Sequence, residues 1–146
     1  MRILLVLPIL LLSGCTAAVN LDAAEDSNNP ACAEVMVRLP AILGEHEQRF
    51  TNSQATSAWG DPAAILLRCG LPAVTVSELP CVTAADFDWL VDDSQAPSYR
   101  FISYATSPAV EVIVDSQTAS GVTTLEALES SVSLLNQTKR CTAISN

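Results

Sequence analysis

A chain of 146 residues is the length of one compact domain, and 49% hydrophobic residues are enough to bury a core. Its formal net charge of −9, from 16 acidic against 7 basic side chains, repels phosphate backbones and anionic head groups, so nucleic acid is excluded as an expected partner. No stretch of the sequence reaches the ~20 consecutive apolar residues of a bilayer-crossing helix.

At the N-terminus, Arg2 precedes an apolar run over residues 3–12 that only Pro8 interrupts, and Ser13 and Gly14 follow it. A positive start, a short apolar run and small residues before a cut are the parts of a secretory signal peptide. Leu12-Ser13-Gly14-Cys15 is similar to the bacterial lipobox, in which the Cys thiol receives diacylglycerol and becomes the new first residue. The reading is a lipoprotein signal peptide at 1–14 with Cys15 as the lipid attachment. An ordinary secretory signal beside an unrelated Cys is the alternative. Two or more acyl chains hold a protein stably on a membrane, where one does not. Five cysteines are an odd number for an exported chain. Setting Cys15 aside leaves Cys32, Cys69, Cys81 and Cys141 as an even set of expected disulfide cysteines. No two stand at C-x-x-C spacing, so zinc and thioredoxin-like chemistry have no support.

Residues 16–31 are rich in Ala, Asn, Asp, Glu and Ser and read as a flexible tether behind Cys15. A coil of that length reaches roughly 20–25 Å. Asn29-Pro30 is a helix start, with Asn as N-cap and Pro at the first helical position. Cys32, Val35, Met36 and Leu39 then form one apolar stripe, and Pro40 bends or ends the helix. Residues 44–58 are polar and weakly patterned, with room for a short edge strand around Arg49-Phe50-Thr51 or a single helical turn. Trp59-Gly60-Asp61-Pro62 reads as a corner: a turn at Gly60 and Pro62, Trp59 plugging the core edge and Asp61 capping. Residues 64–69 are an apolar strand.

Residues 86–92 alternate, with Phe87, Trp89 and Val91 on one face and Asp86, Asp88 and Asp92 toward solvent. Residues 98–104 and 109–114 are two more strands, separated at Ser107-Pro108, and short connections favour an antiparallel meander. Thr123-Thr124-Leu125-Glu126 fits a capping box with Thr123 as N-cap. Val122, Leu125, Leu128, Val132 and Leu135 form the stripe of this second helix, with Lys139 and Arg140 at its negative end. The expected fold is α+β: a two-layer sandwich over 32–146, with an antiparallel sheet of about four strands covered on one face by N- and C-terminal helices and stapled by disulfides. Four cysteines allow three pairings. Antiparallel helices would bring Cys32 next to Cys141 and leave Cys69 to Cys81.

No catalytic, cofactor or metal constellation stands out, and the chain does not read as an enzyme. His46 is the single His, and no Gly-x-Ser-x-Gly elbow exists. Asp86, Asp88, Asp92 and Asp93 lack the Gly and the distal Glu of a calcium loop. Asn136-Gln137-Thr138 matches a glycosylation acceptor but falls on the expected helix. Arg68 is a charge within an apolar run and needs a partner, for which Glu111 across the sheet is the natural choice. Trp59, Asp61, Arg68, Tyr104 and Glu111 are the candidate partner-binding residues.

The chain resembles a family of small actinobacterial envelope lipoproteins known as a domain of unknown function. The likeness rests on the helix from Cys32 to Leu39-Pro40, on Trp59-Gly60-Asp61-Pro62 and on Leu67-Arg68-Cys69-Gly70. It continues through Asp88-Trp89, Tyr104 and Pro108-Ala109-Val110-Glu111-Val112 to Cys141. The chain departs from the pattern at Ala105-Thr106-Ser107, where a Gly and a basic residue are expected. The resemblance implies export, membrane anchoring and disulfides, and it supplies no activity. The expectation is therefore a lipid-anchored, non-enzymatic binding or accessory subunit at the outer face of the cytoplasmic membrane, with an envelope or membrane-protein partner. The alternative is a small-molecule or glycan-binding lipoprotein that uses a pocket between sheet and helices; an envelope enzyme with Asp61 or the Asp86/Asp88 pair as acid and base ranks last.

Overall fold

The computed structural model describes residues 17–142; Cys15 and the signal-peptide segment lie outside the described residues. The elements are α1 (Pro30–Met36), β1 (Ile42–Leu43), β2 (His46–Arg49), β3 (Thr56–Trp59), β4 (Ile65–Leu71), β5 (Cys81–Ala84), β6 (Phe87–Asp92), β7 (Ser98–Ser103), β8 (Ala109–Asp115) and α2 (Gly121–Val132). All the strands join one eight-stranded antiparallel sheet in the order β1-β2-β3-β4-β8-β7-β6-β5. The expected sheet of four strands is thus half the observed one. Strands β4, β6, β7 and β8 stand where alternation and apolar runs place them, and β1, β2, β3 and β5 are additional.

The two-layer sandwich is also corrected. Helices of seven and twelve residues are about 10 and 18 Å long. Eight strands spaced about 4.8 Å apart make a sheet about 34 Å across, more than the two helices can cover. Among the described residues no helix is long and apolar enough to cross a membrane.

Two meanders, β1 to β4 and β5 to β8, meet at the central β4–β8 pair. Residues 72–80 carry the chain from β4 to the far edge. On the way Val74 bridges Tyr104 in parallel and its carbonyl accepts the Ala105 N–H at 2.9 Å. One face of the sheet presents Ile65, Leu67, Cys69, Phe87, Trp89, Phe101, Val110, Val112 and Val114 to the main core, which Cys32 and Val35 of α1 and Leu125, Leu128 and Val132 of α2 complete. The other face carries a smaller cluster of Leu90, Ile102 and Ala109 beneath Leu71, Val74, Leu79 and Tyr104.

Local signals explain the helix ends. Asn29 Oδ1 accepts the Ala31 N–H at 3.0 Å with Pro30 behind it, as expected. The helix closes at Val37, before Leu39 and Pro40. At α2 the N-cap is Ser120, whose Oγ accepts the Thr123 N–H at 3.3 Å, so the helix starts three residues ahead of the Thr123 capping box. It ends at Val132, leaving Asn136, Gln137, Lys139 and Arg140 beyond it rather than in its last turn.

The disulfides are Cys32–Cys69 and Cys81–Cys141, not Cys32–Cys141 and Cys69–Cys81. Strand parity gives the reason. Cys69 shares the main-core face with Leu67 and meets α1 there, whereas Cys81 is in register with Leu90 on the opposite face.

The described part of the expected tether is laid against the domain. Val19 bridges Thr51, Ala24 is buried, and the Asp26 N–H donates to the Gly70 carbonyl at 3.0 Å. Gly70 permits this approach: its φ is +109°, and a Cβ there would sit 2.5 Å from the Asp26 carbonyl carbon. The same glycine marks the register shift between Cys69 and Leu71.

Candidate functional site

The open face of the central strands holds a charged triad. Register sets Arg68 of β4 opposite Glu111 of β8, and Arg100 of β7 opposite Ile113, one diagonal step away. Glu111 Oε2 accepts from Arg68 Nη2 at 2.6 Å and Nε at 3.2 Å, and Oε1 accepts from Arg100 Nε at 2.9 Å. The carboxylate is 5% exposed and the two guanidiniums about a third exposed. The pairing of Arg68 with Glu111 follows the sequence reading, but Glu111 is buried rather than on an exposed face, and Arg100 was not anticipated. With both oxygens engaged, Glu111 braces three strands.

Asp22 at the cleft and Asp92, in register with Arg100, stand near the triad, so what the site offers is spare donors rather than net positive charge. Among the described residues Arg68 turns only Nε and Nη2 to Glu111, and Arg100 only Nε. Their other N–H groups can donate to a carboxylate, phosphate or carbonyl. Beside them lies a cleft of about 240 Å³ lined by Asn20, Leu21, Asp22, Leu66, Arg68 and Ile113. One wall of it is the N-terminal segment.

The other candidates lie elsewhere. Trp59 is fully buried in the main core, on the face opposite Arg68, and its Nε1 donates to the Pro40 carbonyl at 2.9 Å. Asp61, at the cis Asp61-Pro62 corner, pairs with Arg49 at 3.1 Å and is mostly exposed. Tyr104 sits at the opposite end of the strands, where its hydroxyl donates to the Thr75 carbonyl at 3.3 Å. There it lines a cavity of about 650 Å³ with Leu79, Leu90 and the Cys81–Cys141 bridge. Of the five, the structure brings together Arg68 and Glu111 only.

Asp88 corrects a further reading. It is 1% exposed rather than solvent-facing. Its Oδ1 accepts from the Thr83 hydroxyl at 2.6 Å, and its Oδ2 accepts from the Cys141 N–H at 2.7 Å and Arg140 Nε at 3.0 Å. Gln137 completes the latch: it accepts the Asp88 N–H at 3.0 Å and donates to the Asp88 and Tyr104 carbonyls at 2.9 and 2.8 Å. Alternation assigned Asp88 the correct face, but the C-terminal segment covers that face there.

A third cavity, of about 420 Å³, opens between the sheet and α2, where Val91, Tyr99, Phe101, Val114, Val122 and Leu125 give it an apolar lining. Its size is that of a small-ligand site. Gly121 keeps it close-walled, since a Cβ there would meet the Phe101 ring at 3.0 Å. Nothing in the sequence singled out these residues, because each reads as ordinary core. Near the Arg100 end of β6, the Ser94 hydroxyl and backbone N–H hold the half-buried Asp92 carboxyl below the ordinary carboxylate range, with a smaller contribution from Arg100.

These features define a small domain built on one antiparallel sheet, closed by two disulfides and latched at both ends of its described residues. A family model described as "Protein of unknown function (DUF3515)" matches residues 11–140, and the chain belongs to that family. No curated protein and no solved structure matches it.

Proposed function

We propose that this chain is an exported envelope lipoprotein, held by diacylglycerol on Cys15 at the outer face of the cytoplasmic membrane, of the actinobacterial type its motifs resemble. It acts there as a non-enzymatic binding or accessory subunit. The observation that supports this most is cysteine usage. The four cysteines of the described domain all lie in disulfides, which persist outside the reducing cytoplasm, and the fifth is the one that ends Leu-Ser-Gly-Cys. The partner surface is the cleft beside Arg68, where spare guanidinium donors face a groove walled by the N-terminal segment. Cross-linking the lipidated protein in native membranes, with Arg68→Ala as the comparison, tests it. Arg68 lines the cleft, and its truncation removes the spare donors there at a cost of about 1 kcal/mol, so a stoichiometric partner is lost from a domain that remains folded. Capture that is equal in both samples places the partner elsewhere.

A second reading is favoured by the cavity under α2: a lipoprotein that binds a small apolar molecule or the apolar part of a glycolipid. A panel of envelope metabolites raising the melting temperature of the domain, with the effect lost in Val122→Asp, supports that reading. A panel with no shift counts against it.

A further inference from the structure

The described chain begins two residues after Cys15, and it is held from its first residue. The Ala17 carbonyl accepts from Arg49 Nη2 at 2.9 Å, and Arg49 is itself fixed by Asp61 at 3.1 Å and the Gly60 carbonyl at 2.9 Å. Val19 then donates its N–H to the Phe50 carbonyl at 2.8 Å and accepts the Asn52 N–H at 3.2 Å. The Leu21 N–H donates to Asn52 Oδ1 at 2.8 Å. Cys15 therefore lies four residues from a fixed point beside Phe50, a reach of at most about 14 Å of extended chain. That is less than half the breadth of the sheet. A lipid on such a leash brings the bilayer to the side of the molecule where the N-terminal segment emerges. Phe50, on that side, is 84% exposed.

We propose that Phe50 is a membrane contact, its ring entering the boundary between head groups and acyl chains next to the lipidated N-terminus; this rests on the reading of Cys15 as the anchor. The occupant is a lipid surface. With a net charge of −9, attraction to anionic head groups is not its source. The contact is apolar and acts together with the covalent lipid, so it persists at high ionic strength.

The test uses the full lipidated chain in phosphatidylcholine vesicles that contain lipids brominated along the acyl chain. Trp59 and Trp89 are both fully buried and give a constant background. Phe50→Trp is compared with Val76→Trp, at an 84% exposed position on the segment that crosses to the far edge. The added emission of Phe50→Trp is expected to be blue-shifted and quenched several-fold more than that of Val76→Trp, with no change on adding salt. The mass of the same samples reports whether Cys15 is acylated. An acylated chain whose Phe50→Trp emission is no more quenched than that of Val76→Trp overturns the membrane contact and leaves the anchor standing. A blue shift without quenching also overturns it, since protein then covers the position. An unmodified Cys15 overturns the anchor, and the contact with it.

Discussion

Glu111 joins three strands through two guanidiniums, and its removal leaves Arg68 and Arg100 facing each other without their shared anion. Breaking a buried pair in this way costs about 3–5 kcal/mol, and the partial exposure of both arginines reduces the expected loss for Glu111→Ala to about 2–4 kcal/mol. Arg68→Ala leaves Arg100 in place and costs about 1 kcal/mol. Urea denaturation of both variants checks the order; an equal loss would show that Arg100 does not hold Glu111. At the edge of the same face, Ser94→Ala raises the Asp92 pKa toward the ordinary carboxylate value, seen by NMR titration. The native shift is downward, so the small stabilisation from Asp92 is present above its unfolded pKa and lost as pH falls through the folded one. An unchanged titration would contradict the role of Ser94. Arg68 and Glu111 were legible in the sequence because each interrupts an apolar run. Arg100 was not, because it stands in Ser98-Tyr99-Arg100-Phe101, where a charge needs no explanation. For Asp88, alternation gives the face of the side chain and not the C-terminal segment that lies over it.

At the scale of elements, the docking of residues 17–26 depends on Gly70. Gly70→Ala forces a methyl group against the Asp26 backbone and a side chain into positive φ, with an expected loss of roughly 2–4 kcal/mol. Hydrogen exchange reads its location: protection of the Asp26 amide falls first, while the amides of β7 and β8 keep theirs. Uniform loss would mean that the N-terminal segment is not a separable unit. Elements that local rules specify were readable, such as the Asn29-Pro30 start of α1 and the apolar stripe of α2. The strands of two to four residues in β1 to β3 were not. β2 is mostly exposed, and β3 buries Thr56-Ser57-Ala58-Trp59 on both faces, so neither alternates. The N-terminal segment looked like a tether because its apolar content is low; it docks through backbone hydrogen bonds, which leave no mark on composition.

At the scale of the whole molecule, the closing of the sheet depends on contacts that no local pattern encodes: β4 with β8, and a chain that crosses to the far edge before returning. The bridge pairing follows from that topology, and four strands alone do not place Cys69 beside α1 or Cys81 on the opposite face. The bridges close loops of 37 and 60 residues, each worth about 4 kcal/mol in the chain-entropy model. Together they are comparable to the whole stability of a small domain, so the fold depends on both bridges being formed. The most direct measurement is the intact mass of the mature chain purified from membranes, taken with an alkylating reagent before and after reduction. The expected chain begins at Cys15 carrying diacylglycerol, takes up no label while oxidised, and takes up four labels once both disulfides are reduced. A chain that keeps residues 1–14, or whose Cys15 thiol is free to react, would contradict the lipid anchor and with it the assignment to the envelope.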